Sequence, residues 1–542
     1  LDGVTLQDAV IKVVSHPTVA SKRFLITIGD RTVGGLTHRD QMVGPWQIPV
    51  ADCAVTLADF KGFAGEAMSM GERTPLAALD APASGRMAVA EAITNLLAAP
   101  IELPRVKLSA NWMAACGEAG EDAALYATVK AVGLELCLAL GVSIPVGKDS
   151  LSMRTQWKDD TGAKKNVVSP VSLIVTAFAT LQDVRGTLTP QLDAAEGDST
   201  LVLVDLGKGQ CRMGGSILGQ VLDQAGDTVP DLDDAKDLVN LVNAVNALRA
   251  QGRILAYHDR SDGGLFASVC EMAFAGHVGV ALNVDMLVTE GDGISDSRMD
   301  SGDAKNWATQ VSARREELTL KALFNEELGV VLQVRTSERN EVMQTLRDHG
   351  LSKHSHFVGK TRPAGSDITV GVGEVKVWRD AKHVFRASLE DLHQVCDSVS
   401  WKIAQQRDNP ACADAEHAVV GALNNPGAHV LIAPSATENV AAPFLNLARP
   451  RVAILREQGV NSHVEMAYAF TEAGFEAYDV HMTELQSGRA DLANFKGVVA
   501  CGGFSYGETL GAGRLGPFHH LQPGARQPVP GLLWPQRHLW FG

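Results

Sequence analysis

Short apolar stretches alternate along this chain with longer segments whose apolar residues recur at helical spacing, the rhythm of an α/β or α+β protein. Phe24–Ile28 and Gln47–Thr56 read as strands. Ser84–Ala98 reads as a helix, its apolar positions supplied by Met87, Val89, Ala90, Ile93, Leu96 and Leu97, and Ala123–Leu140 reads as a second. A polar turn at Asp159–Lys165 closes a first block, 1–165. In the next block, 166–385, the predicted strands are Val167–Leu181, Thr200–Asp205, Ile254–His258, Gly329–Val334 and Ile368–Val377. Its predicted helices are Asp231–Gln251 and Gly264–Phe274, and its polar segment Thr289–Glu317 predicts a surface insertion. A polar connector over 386–448 follows. Within 449–513, Arg451–Leu455, Ser462–Ala473 and Val498–Cys501 repeat a strand–helix–strand rhythm that predicts a parallel sheet.

A length of 542 residues predicts roughly two to four domains, each able to bury a core. The net charge of -15 argues against a nucleic-acid partner, which would call for a basic face. It leaves room for a small anionic substrate held by a metal or a helix N-terminus. The eight cysteines show no Cys-x-x-Cys spacing and sit mostly in apolar segments, which predicts reduced thiols and a cytoplasmic protein. No apolar run approaches the roughly 20 residues a bilayer requires, so no membrane association is expected. The opening Leu-Asp-Gly-Val has neither Met nor a signal-peptide pattern and reads as a cut inside a longer frame.

Several residues could carry chemistry. Glu91 and Asn95, four apart on one predicted helix, emerge on one face. Asp52 falls among apolar neighbours, where a carboxylate is costly without a partner. Asp259 follows a buried strand and opens Asp-Arg-Ser-Asp-Gly-Gly, whose turn and helix present free N–H groups to an anion. These four are hard oxygen donors of the kind Mg²⁺ takes against phosphates. They are equally readable as a satisfied strand-end carboxylate and solvated helix residues. Gly147-Lys148-Asp149-Ser150 is a phosphate-sized loop or a plain polar turn, but not a P-loop. Cys501 has no His or acid near it in sequence and reads as structural. The N–H groups of Gly502 and Gly503 could stabilise an oxyanion. His463 and Glu465, two apart, fall on different helix faces and read as structural.

Ordered motifs run through the chain: Gly-Asp-Arg-Thr-Val-Gly-Gly (29–35), Arg-Asp-Gln-Met-Val-Gly-Pro-Trp-Gln (39–47) and Gly-Glu-Ala-Met-Ser-Met-Gly-Glu-Arg (65–73). Lys-Leu-Ser-Ala-Asn-Trp-Met-Ala-Ala (107–115), Pro-Val-Gly-Lys-Asp-Ser-Leu-Ser-Met (145–153), Ala-Tyr-His-Asp-Arg-Ser-Asp-Gly-Gly-Leu (256–265) and Phe-Asn-Glu-Glu-Leu-Gly (324–329) continue the series. With Arg449–Met466 and Cys501–Gly513, this set resembles the C-terminal part of the large, single-chain phosphoribosylformylglycinamidine synthases, over about residues 1–513. The resemblance implies a second aminoimidazole-ribonucleotide-synthetase-like half of two α/β subdomains, followed by a partial class I, flavodoxin-like glutamine amidotransferase domain. It implies a purine-biosynthesis ligase whose partners are ATP, glutamine and formylglycinamide ribonucleotide. The substrate amide oxygen would be activated by phosphoryl transfer and displaced by ammonia. It further implies Mg²⁺ on Asp52, Glu91, Asn95 and Asp259, and an ATP or ADP nucleotide touching Ala51 and Ser261. The family's Gly-rich nucleotide loop and catalytic histidine belong to an N-terminal half expected as the intramolecular partner.

Beyond Gly513 the resemblance stops. The family's Gly-Val-Cys-Asn-Gly-Cys nucleophile segment does not occur in the chain, and no partner His or Glu of that site is matched. One back-translation of Arg514–Pro523, read in another frame, spells Glu-Gly-Trp-Ala-Leu-Ser-Ile-Ile-Phe-Asn, close to the usual continuation. The segment 514–542 therefore reads as an out-of-frame tail, and the fragment is expected to be inactive as a synthase.

Overall fold

The computed structural model describes the chain except residues 2, 30, 33, 195–196, 289–303, 362–372, 432–447, 509–538 and 542. It divides into two compact units, Leu1–Arg31 with His38–Ala428, and Thr32–Thr37 with His429–Gly542.

The first unit is built on two sheets. Five strands of the six-stranded sheet, Ala54–Leu57, Gly65–Glu72, Ser172–Leu181, Lys107–Met113 and Ser143–Ser150, lie side by side in that order. Period-two alternation in Ser172–Leu181 turns Leu173, Val175, Ala177, Ala179 and Leu181 toward the core. There they meet the helix Ala81–Leu96, which starts where Asp80 accepts the Ala83 N–H at 2.9 Å. The seven-stranded sheet runs Ala256–Arg260, Gly329–Arg335, Ser199–Asp205, Ser355–Thr361, Val280–Asn283, Glu374–Arg379 and Lys382–Ser388. Ser199–Asp205 is buried on both faces and reads as a continuous apolar run. Val202 and Val204 join the core shared with Ala81–Leu96, whereas Leu201 and Leu203 join the core under Gly264–Gly276 and Leu389–Arg407.

In the second unit, Glu476–His481, Arg451–Arg456 and Gly497–Ala500 form a parallel sheet, with Leu539–Phe541 parallel to Gly497–Ala500 at one edge. The helix His463–Glu472 makes the crossover, as the strand–helix–strand rhythm predicts.

Several expectations need correction. Phe24 does not open a strand: Arg23–Ile26 is a helical turn held by the Arg23–Asp397 ion pair at 2.9 Å and by Ser400. The segment Gln47–Thr56 is mostly loop, and only Ala54–Leu57 is strand, because the chain bends back at a Val43–Ile48 bridge. Gly147–Ser150 is the end of an edge strand, not a loop. Val167–Leu181 does not begin the second block. Its Ser172–Leu181 part is a central strand of the first sheet, so the seam between the sheets falls after Leu181. The connector begins within the strand Lys382–Ser388 and carries the helices Leu389–Arg407 and Pro410–His417, and the first of these helices buries Leu389, Leu392 and Cys396. Of the predicted insertion, 289–303 lies outside the described residues and Ala304–Phe324 is helix. The Ile368–Val377 strand lies partly outside them, and its described part belongs to Glu374–Arg379. Finally, Glu121–Leu140 is one helix long and apolar enough, by length and composition alone, to cross a bilayer. Its Thr128 and Val132 pack where Gly85 leaves room on Ala81–Leu96.

Candidate functional site

The strand Ala256–Arg260 pairs with Gly329–Arg335, and its ends sit where both cores of the first unit meet. Asp52, in the loop just before Ala54–Leu57, reaches this strand with its side chain fully buried. Asp52 Oδ1 accepts from His258 Nδ1 at 2.8 Å and from the Asp259 N–H at 3.1 Å. The other His258 nitrogen, Nε2, donates to Glu271 Oε2 at 2.7 Å. Asp52 Oδ2 and Asp259 Oδ2 are buried with no hydrogen-bond partner among the described residues. The ligand atoms of Asp52, His258 and Asp259 lie within 4.8 Å of one another.

The electrostatics follow from this crowding. Burial, and after it the Asp52 charge, hold the Asp259 carboxyl well above the usual carboxylate range. Burial alone would depress the His258 pKa, but Asp52 and Glu271 outweigh it and raise the value well above the ordinary one. Two buried carboxylates with bare oxygens are costly unless a cation joins them. The donor set is hard oxygen in a desolvated site, which fits Mg²⁺.

A second group of charges lies beside the first. Glu91 Oε2 accepts the Glu72 N–H at 3.0 Å, and its Oε1 accepts from the Ser261 hydroxyl. Burial pushes the Glu91 carboxyl up to about 7, against the pull of Arg73. Arg73 Nη2 pairs with Glu326 Oε2 at 3.1 Å, and its Nη1 stands 3.6 Å from Asp262 and 3.9 Å from Glu91. Glu326 Oε1 in turn accepts the Gly263 N–H at 2.8 Å and the Ile217 N–H at 2.9 Å. The chain turns tightly here, since Gly264 has φ +68° and a Cβ on it would lie 2.6 Å from the Asn325 carbonyl. The Phe-Asn-Glu-Glu-Leu-Gly motif thus anchors the turn that carries Asp259 and Ser261.

Of the residues singled out from sequence, the structure brings together Asp52 and Asp259, and separately Glu91 and Ser261. Asp52 sits in a loop, not within a strand, and Asp259 lies inside its strand rather than after it. Asn95 is half-buried and donates to the Met70 carbonyl at 3.0 Å. Ala51 donates to the Gln41 carbonyl at 3.2 Å and, with Asp52, Arg39 and Thr189, lines a cavity of about 80 Å³. His258 and Glu271 were missed. The available signal was Glu271 itself, the sole ionisable residue in the apolar run Gly264–Gly276 apart from Cys270.

In the second unit, Gly502 accepts from the Ser462 hydroxyl at 3.3 Å, and Gly503 bridges to Val460. Burial, with help from Glu465, raises the Cys501 thiol pKa, so the thiol is not activated. His463 Nδ1 and Glu465 Oε2 are buried without hydrogen bonds among the described residues.

Three family models match the chain. The FGAR-AT PurM_N-like domain matches 21–180, the C-terminal domain of AIR synthase related protein matches 198–371, and the CobB/CobQ-like glutamine amidotransferase domain matches 449–521. The first takes in residues 172–180 of the strand Ser172–Leu181, in line with that strand's place in the first sheet. The third runs past Gly513. Among solved structures, T. maritima PurL complexed with FGAR is 12% identical, with a TM-score of 0.46 over 72% of this chain and 53% of that one. PurLQS from Thermotoga maritima is 12% identical, with a TM-score of 0.43 over 64% and 47%. The hydrogenase maturation protein HypE from E. coli is 18% identical, with a TM-score of 0.37 over 60% and 84%. The chain spans about half the length of the PurL chains it matches. Likeness at this level adds nothing to the family models.

Proposed function

We propose that the chain, whose matched domains are those of a phosphoribosylformylglycinamidine synthase, a glutamine amidotransferase and AIR-synthase-type enzyme of purine biosynthesis, holds a magnesium–nucleotide site in its first unit. The observation that carries this reading is that Asp52 and Asp259, whose ligand atoms lie within 4.8 Å of each other, each carry a buried Oδ2 without a hydrogen bond among the described residues. Asp52 and Asp259 would hold the cation, with Glu91 and Asn95 completing the set, while Ala51 and Ser261 would meet an ATP or ADP nucleotide. When bound, Mg²⁺ would neutralise phosphate oxygens and fix the nucleotide against the protein. The chain's own part is to keep the carboxylates dry and preorganised. Arg73 and Glu326 do so by pinning the turn around Ser261.

In the intact enzyme this half would serve the ATP- and glutamine-dependent conversion of formylglycinamide ribonucleotide to formylglycinamidine ribonucleotide in the cytoplasm, with an N-terminal half as partner. Gly502 and Gly503 would belong to the glutamine end of that reaction. The first unit would bind the nucleotide in the full chain. Isothermal titration of the full chain with ADP tests this. Binding should require Mg²⁺ and disappear in Asp52→Asn. Equal binding in the variant, or none in the parent chain, would contradict the assignment.

A further inference from the structure

We propose that Glu271 and His258 form a positioning strap that aims one oxygen of Asp52 at the cation. This inference rests on the magnesium site proposed above. Both His258 ring nitrogens face carboxylate oxygens, Asp52 Oδ1 at 2.8 Å and Glu271 Oε2 at 2.7 Å, and carboxylates only accept. Both ring nitrogens are therefore engaged by carboxylates, which leaves neither for a cation. His258 is buried between the two sheets' cores, and Glu271 comes from the helix Gly264–Gly276, which packs on the strand that carries His258.

The consequence lies in the division of Asp52's two oxygens. Oδ1 is fully used, accepting from His258 Nδ1 and from the Asp259 N–H at 3.1 Å. Oδ2 is left without a hydrogen bond among the described residues, as is Oδ2 of Asp259. The strap sets the rotation of the Asp52 carboxylate and commits it to one-oxygen ligation, the mode that suits a small, hard cation. Without the strap, only the Asp259 N–H would orient Asp52, and the carboxylate could turn either oxygen inward.

The test is Mn²⁺ binding to the full chain, followed by electron paramagnetic resonance, with thermal melts in EDTA alongside. Outer partners of metal ligands typically contribute about 10- to 100-fold in affinity, so His258→Leu should weaken Mn²⁺ by about that range. His258→Asn, whose amide N–H can stand where Nδ1–H stood, should restore most of the loss. Glu271→Gln should weaken Mn²⁺ by about tenfold, with an EDTA melting midpoint unchanged from the parent, which a merely structural role would not produce. Parent-like affinity in His258→Leu and Glu271→Gln, with Asp52→Asn abolishing binding, would overturn the strap alone. Parent-like affinity in Asp52→Asn as well would overturn the metal site beneath it. If His258→Leu does not fold, His258→Asn and Glu271→Gln still decide: both at parent affinity refutes the strap, while a loss in Glu271→Gln supports it.

Discussion

The first unit draws its charged groups from far apart in sequence into one buried place, whereas the described part of the second unit keeps its candidates at a single strand end. Asp52, Glu91 and Asp259 come from a loop, a helix and a strand, each positioned by a different core contact. Cys501, Gly502 and Gly503 are neighbours at the end of Gly497–Ala500, with a thiol that burial leaves protonated. Convergence leaves bare oxygens that need a ligand, while contiguity yields a turn whose geometry is local. The two units should therefore respond differently to perturbation.

The largest effect should come from breaking the buried charge layer of the first unit. Arg73→Met strands Glu326 and faces it with Asp262 and Glu91, and removing one partner of a buried pair costs about 3–5 kcal/mol. Denaturant unfolding followed by near-ultraviolet circular dichroism should show one early transition. An unchanged midpoint would mean the layer is not structural.

The next effect is pH-dependent. His393 is buried against Phe274, and burial lowers its pKa to about 4 from 6.5. The unfolded chain takes up the proton first on acidification. Stability from this group is thus complete above pH 6.5 and lost as pH falls toward 4, on the order of 3 kcal/mol in all. His393→Phe keeps the stacking partner and should flatten the pH dependence of the melting midpoint between those values. A slope identical to the parent's would remove His393 from the explanation.

In the second unit the expected effects are smaller. Gly503 has φ +145°, and a Cβ there would lie 2.5 Å from the Gly459 carbonyl, so Gly503→Ala should cost about 1–3 kcal/mol. Hydrogen exchange at Val460 and Phe504 would report that loss. Cys501→Ala should change stability by less than about 0.5 kcal/mol and leave Mg²⁺-dependent ADP binding as it was. A larger loss of either would mean the strand end is coupled to more than its own turn.

Sequence periodicity located the helices at Ala81–Leu96 and Gly264–Gly276 and the doubly buried strand Ser199–Asp205, because core burial imposes apolar spacing directly. It failed at Arg23–Ile26, where an ion pair to Asp397, far along the chain, holds an apolar tetrad in a helical turn. It failed again at Leu389–Arg407, whose buried face is thin and whose polar face dominates the composition. Motif resemblance singled out Asp52, Glu91, Asn95 and Asp259. It did not reach His258 and Glu271, whose role appears only through their contacts.

The residues alone thus determined the family resemblance, many of the core strands and helices, and the types of donor available, since these depend on composition and local spacing. Only the tertiary structure decided that Ser172–Leu181 belongs to the first sheet and that Asp52 and Asp259 share a buried place. It also decided that Glu271 reaches Asp52 through His258. The physical reason is that hydrogen bonds and desolvation act through space, and no sequence pattern records which distant side chains will share one dry pocket.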